Sequence, residues 1–203
     1  FDISDPIHPL ELATFDTTYA LTDIALEGGY AFVTTNGDGL RVLSVSDLNA
    51  IAEIGHYNTP GTDLSVAVAG GIAYVADRGS GLRILNVSDP AHPTSLTAID
   101  TPGDAVDVQV QGQTLFLADG TALRLYDVTN PAAPVVVATL DPDHPEDPGL
   151  KVLHRPIGIA FSPDGQWLLG GDDRIPRLFS LGAAADRALT GHSSAMKAVA
   201  FSP

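Results

Sequence analysis

One block recurs along this chain at an interval of 41–42 residues. Gly39-Leu40-Arg41-Val42-Leu43-Ser44-Val45-Ser46-Asp47 returns as Gly81-Leu82-Arg83-Ile84-Leu85-Asn86-Val87-Ser88-Asp89. It returns again as Ala122-Leu123-Arg124-Leu125-Tyr126-Asp127-Val128-Thr129-Asn130. A period of roughly 20–50 residues, built of short strands and turns, is the signature of a repeat architecture. Four short strands per period predict an all-β fold, a β-propeller of four-stranded antiparallel blades. Such a fold is a scaffold, and its function lies in loops and channels that the repeat does not specify.

Alternating apolar residues punctuated by Gly, Asn, Asp and Pro mark the strands and turns. The first complete unit reads as strands at Asp23–Leu26, Tyr30–Val33, Leu40–Val45 and Ala52–Tyr57. The second gives Ser65–Val68, Ile72–Val75, the Leu82 strand and Leu96–Ile99. The third gives Asp107–Val110, Thr114–Leu117, the Leu123 strand and Val135–Ala138. The fourth gives Ile157–Phe161, Gln166–Leu169, Arg177–Leu181 and Arg187–Leu189. The repeat units are 1–18 (partial), 19–60, 61–102, 103–141, 150–191 and 192–203 (partial), with an inter-blade insertion at 141–149. The chain is thus about four complete blades plus a partial blade at each end. Phe1-Asp2-Ile3-Ser4-Asp5-Pro6 matches Leu85–Pro90, a third strand, and Val199–Pro203 matches Ile159–Pro163, a first strand. Two readings follow: a piece of a larger ring, or a small five-bladed ring whose last blade combines both ends.

Composition narrows the function classes. The net charge is −15, with two lysines and eight arginines, none before Arg41. A duplex nucleic-acid binder needs a basic footprint, so no nucleic-acid partner is expected. Of the 25 acids, 21 are Asp, a turn residue, so much of the charge reads as turn chemistry. There is no cysteine, hence no disulfide framework or thiolate metal site. No run of 18 apolar residues is present, so no transmembrane segment is expected.

The first three units resemble the LVIVD-repeat family of bacterial propeller proteins. The matching residues are Asp107-Val108-Gln109-Val110, Ile72-Ala73-Tyr74-Val75-Ala76-Asp77 and Gly81–Pro93. The resemblance covers residues 1–140. The last 50 residues look like a WD-repeat unit instead: Gly191-His192 before a strand, Phe161-Ser162-Pro163-Asp164-Gly165, and Asp172-Asp173 before Arg177-Leu178-Phe179. Phe179-Ser180 stands where that family has Trp-Asp, and Pro176 where it has a β-branched residue. The first resemblance implies a location outside the cytoplasm, the second a role in scaffolding protein complexes.

Candidate site residues divide by position. Arg41, Arg83, Arg124 and Arg177 share one slot of the third strand, inside a blade packed on both faces. They are expected to be structural and to need acidic partners. Asp23 and Asp107 open the first strand, with Ser65 and Gly158 in the same slot. An Arg–Asp ladder would satisfy these charges; alternatively Asp23, Asp63, Asp104 and Asp107 form an acidic rim at the channel mouth. No cofactor is expected. Calcium is the one cation to weigh, with Asp23, Asp63 and Asp107 as weak ligands, since no loop has the dense Asp spacing of a dedicated calcium site. His8 and His92 occupy matching turns and read as turn residues.

The recognition surface is expected on the loops that join second to third strands and on the insertion. Its residues are Asn36, Asp38, Asp77, Arg78, Asp119, Asp141, Asp143, His144, Glu146 and Asp147. The insertion, with prolines at every third position, favours an extended conformation beside the channel mouth. No nucleophile elbow, phosphate loop or metal triad is present, so no catalytic residue is expected. The sequence therefore predicts a non-catalytic scaffold for protein–protein interaction, at a bacterial cell surface or within a larger assembly. The alternative is a cation-dependent hydrolase or lactonase-like propeller, or a small-ligand binder, with its site at the channel mouth.

Overall fold

The computed structural model describes residues 7–8, 10–11, 13–62, 65–140, 158–162, 167–171, 176–180 and 187–188. These form an all-β structure of four four-stranded antiparallel sheets, the blades of a propeller. Blade 1 holds β1 (Leu21–Glu27), β2 (Tyr30–Thr35), β3 (Gly39–Ser44) and β4 (Ala52–Tyr57). Blade 2 holds β5 (Ser65–Ala69), β6 (Ile72–Ala76), β7 (Leu82–Asn86) and β8 (Thr94–Ile99). Blade 3 holds β9 (Asp107–Gln111), β10 (Thr114–Ala118), β11 (Leu123–Asp127) and β12 (Val135–Leu140). Blade 4 holds β13 (Gly158–Phe161), β14 (Trp167–Gly171), β15 (Pro176–Ser180) and β16 (Arg187–Ala188). Within each blade the strands lie in chain order, and β1, β5, β9 and β13 meet one another in sequence at the centre.

The strand period of two explains how blades stack. In blade 1, Phe32, Leu40 and Val42 turn one way and pack against Val66, Val75, Ala73 and Leu85 of blade 2. Blade 2 repeats the arrangement: Tyr74, Leu82 and Ile84 meet Val108, Leu115, Leu117 and Tyr126 of blade 3. Phe116 and Leu123 then meet Ile159 and Leu168 of blade 4, with Phe116 edge-on to Phe161 at 4.6 Å between ring centroids. Each interface is a core between two sheets, so the second and third strands of blades 2 and 3 are packed on both faces, as near-continuous apolar runs require.

The exposed turns absorb much of the Asp and Asn. The Asp47 side chain accepts the N–H of Asn49, Asp89 that of Ala91, and Asn130 that of Ala132. These Asx turns recur in each of the first three blades and return the chain from the third strand to the fourth. The fourth strand bulges opposite the third in blades 1, 2 and 3. Beside the bulge in blade 1, a Cβ on Gly55 would run into the carbonyl oxygens of Pro90 and Ala91. Only glycine admits that close approach of blade 2's turn to blade 1's outer strand.

Candidate functional site

The second-to-third-strand loops and the connections between blades share one face of the propeller, at the end where the first strands begin. Here the recurrent charges fall into two separate networks, not one Arg–Asp ladder.

The first network holds the arginines. Arg83 Nε donates to Asp77 Oδ2 at 3.4 Å, and the N–H of Gly61 donates to the same oxygen at 3.2 Å. Arg124 Nε donates to Asp119 Oδ2 at 2.5 Å, while Asp119 Oδ1 accepts from Thr121 N–H, the Thr121 hydroxyl and Ala122 N–H. Burial pushes the Asp119 carboxyl up, but the Thr121 hydroxyl, the Arg124 guanidinium and the two N–H groups outweigh it, leaving it below the ordinary carboxylate range. In blade 1 the corresponding position is Thr35, so Arg41 takes Asp38 and Glu53 instead, the latter at 2.6 and 2.7 Å. The Tyr19 ring lies 5.7 Å from the Arg41 guanidinium. Arg177 occupies the same register in β15; its side chain lies outside the described residues.

The structure thus corrects the place of two expected recognition residues. Asp77 and Asp119 are fully buried and anchor the arginines, so they present no surface to a partner. Asn36 is exposed, Asp38 is half-buried in its ion pair, and Arg78 is exposed. Asp141, Asp143, His144, Glu146 and Asp147 lie outside the described residues, as does Asp63.

The second network joins the first strands across blades. Asp23 Oδ2 accepts the N–H of Val66 at 2.9 Å. Ser65 Oγ accepts the N–H of Val108 at 3.4 Å and donates to Asp107 Oδ1 at 2.8 Å. Asp107 Oδ2 accepts the N–H of Ile159 at 2.6 Å. Each slot residue therefore accepts a hydrogen bond from the N–H of the residue one place past the slot in the next blade. Glu27, which the repeat does not single out, adds a second clasp by accepting the N–H groups of Gly70 and Gly71. Burial pushes the Asp107 carboxyl up to about 6; the Ile159 N–H and Ser65 hydroxyl pull it back, while the charge of Asp23 adds to the rise. Asp23 and Asp107, expected in an open rim, thus bond to neighbouring blades. Asp104 is exposed and sits 3.5 Å from Arg78 Nε.

Arg78 departs from the framework pattern. Its φ is +46°, in the left-handed region, where the third blade has Gly120 at +73°. Its N–H and C=O pair with Ala105, stitching blade 2's loop to blade 3. Among the described residues no group of three or more His, Cys, Asp or Glu is placed to hold a metal ion, and no helix is long and apolar enough to cross a membrane. His92 contacts Asp89 in its exposed turn at 2.9 Å, and this hydrogen bond holds the Asp89 carboxyl below its ordinary range.

Comparison with known proteins agrees with this geometry. The LVIVD repeat matches residues 21–59, 60–101 and 102–141, one match for each of the first three blades. The chain belongs to the LVIVD-repeat family. No curated protein sequence matches it. Among solved structures, a functionally unknown protein from Desulfotomaculum acetoxidans is similar with a TM-score of 0.69 at 18% identity, covering 88% of this chain and 60% of that one. Hydrazine synthase of Kuenenia stuttgartiensis is similar with a TM-score of 0.69 at 14% identity, covering 93% of this chain and 54% of that one. The computationally designed Ika4 protein is similar with a TM-score of 0.59 at 12% identity, covering 86% of this chain and all of that one. At such identities the likeness is one of fold. The LVIVD-repeat chain spans little more than half the length of the two natural proteins.

Proposed function

We propose that this LVIVD-repeat protein is a non-catalytic interaction module that recognises a protein partner on its channel-mouth face. The observation that supports this is Arg78. It is 55% exposed in its side chain, in a chain of net charge −15, and it holds a left-handed backbone in which an L-residue is disfavoured by about 1 kcal/mol. Strain kept at an exposed residue points to a use for its side chain. With Asp104 beside it, Arg78 offers a carboxylate of a partner a guanidinium already oriented for a paired contact. Asn36, Asp38 and the acidic insertion Asp141–Pro148 complete the proposed surface. A WD-like fourth unit and a location at a bacterial cell surface belong to the same proposal.

Arg78→Gly is the test. Its unfolding free energy is expected to stay the same or rise by up to about 1 kcal/mol, because glycine accepts the backbone. Capture of native partners from the source extract is expected to fall. Unchanged capture by this variant and by Arg78→Glu would remove Arg78 from the surface.

The second reading, a cation-dependent or small-ligand site at the channel, is favoured by Asp107, whose carboxyl is pushed up to about 6 near the axis. Perturbed carboxyls concentrate at functional sites. A calcium titration heat that disappears in Asp107→Asn would favour this reading; no heat in the unmodified chain would end it.

A further inference from the structure

The hydrogen-bond relay between first strands predicts what each blade needs from the one before it. The donors are the N–H groups of Val66, Val108 and Ile159, residues that are 3%, 0% and 2% exposed. Their counterpart in blade 1 is Ile24, which is 57% exposed, and two places on Leu26 is 71% exposed. Val68 and Val110, the counterparts of Leu26, pack into the interfaces with the preceding blades. The outer part of the same face of blade 1 is already covered: Ala31, Val33 and Leu43 are buried, with Phe15, Val45 and Ile51 packed against them. Among the described residues, the inner strand lacks such cover at Ile24 and Leu26.

We infer that this inner face of blade 1 is the docking site of a further propeller blade, whose first strand offers an Asp or Ser oxygen to the N–H of Ile24. Three internal interfaces carry the argument, because each buries the same position against a preceding blade and at each its N–H donates to an Asp or Ser oxygen of that blade. Ile24 N–H is held at present by its own Asp23 Oδ1 at 2.8 Å. That local bond does not preclude the relay, because one backbone N–H can be shared between two acceptors. Blade 4 does not fit as the missing neighbour, because Gly158 occupies its slot and has no side chain. Ala198, at the matching place in Val199–Pro203's segment, has no oxygen either. A second copy docking through blade 4 fails on the same ground.

The chain lacks cysteine, so single thiols report cover without background. Ile24→Cys and Leu26→Cys in the chain of 203 residues are expected to react with a water-soluble maleimide within about threefold of Gln113→Cys in an exposed turn, and Val66→Cys at least about 100-fold more slowly. A copy of residues 103–125 placed ahead of Phe1 supplies the first strands of a blade whose later strands Phe1–Pro6 resemble, and it carries the Asp107 slot. In that extended chain, still monomeric, the Ile24 thiol is expected to slow by about 100-fold, and Asp→Ala at the copied slot to restore part of the reactivity. Should the extension disturb folding, seen as reaction of Val66→Cys, a copy of residues 61–84 with its Ser65 slot replaces it. Failure of both extensions to protect Ile24 overturns the inference. Protection already present in the original chain overturns it too: at all concentrations it assigns the face to the chain's own residues, and only at high concentration to a second copy.

Discussion

Asp107 carries a charge that its surroundings resist. Its carboxyl is neutral more readily in the folded chain, near 6, than at the ordinary 3.8. The folded state therefore binds the extra proton between those values, and stability falls as pH rises from about 4 to about 6, the loss remaining complete above it. The difference of about two pKa units corresponds to about 3 kcal/mol. Asp107→Asn should flatten this part of the stability–pH curve in urea titrations, because its amide can still accept from Ile159 and donate to Ser65. Asp107→Ala should cost about 2 kcal/mol near pH 4 by stranding the Ile159 N–H, and less above pH 6, where the parent chain carries the buried charge that the variant lacks. Asp119 behaves oppositely: the Thr121 hydroxyl, Arg124 and two backbone N–H groups hold it ionised against its burial, so Asp119→Ala should cost about 3 kcal/mol at neutral pH, read as a lower urea midpoint. The need of the recurrent Arg for an acid was legible in the sequence, because a strand buried on both faces leaves no water for a charge. Which acid it takes was not. Asp77 and Asp119 stand five or six residues before their arginines, in loops that read as open surface, and only the hairpin's return folds them inward.

At the scale of the strand, the four-stranded units were legible to within about two residues at their ends. Alternation and turn residues repeat with the same spacing, and three copies correct one another's boundaries. The bulge in the fourth strand was not legible, because it depends on the neighbouring blade's turn. Gly55 shows why: its lack of a side chain is meaningful only once Pro90 and Ala91 are seen against it. Gly55→Ala should destabilise by about 1–3 kcal/mol through overpacking, measured as a fall in Tm, although alanine favours neither strand nor turn strongly.

Across the whole molecule, the relay of hydrogen bonds from Asp23 to Val66, Ser65 to Val108 and Asp107 to Ile159 sets the order of blades. The repeated slot showed in the sequence as Asp, Ser, Asp and Gly, but its target did not, since a backbone N–H leaves no trace in residue type. The same relay separates framework acids from the exposed Arg78 and Asn36. Residue-resolved amide exchange of the folded chain tests this account most directly. The amides of Val66, Val108 and Ile159 should exchange only through global unfolding, and Asp107→Ala should release Ile159 while leaving Val66 protected. Exchange of all three at the rate of exposed turn amides such as Gly112 would contradict it.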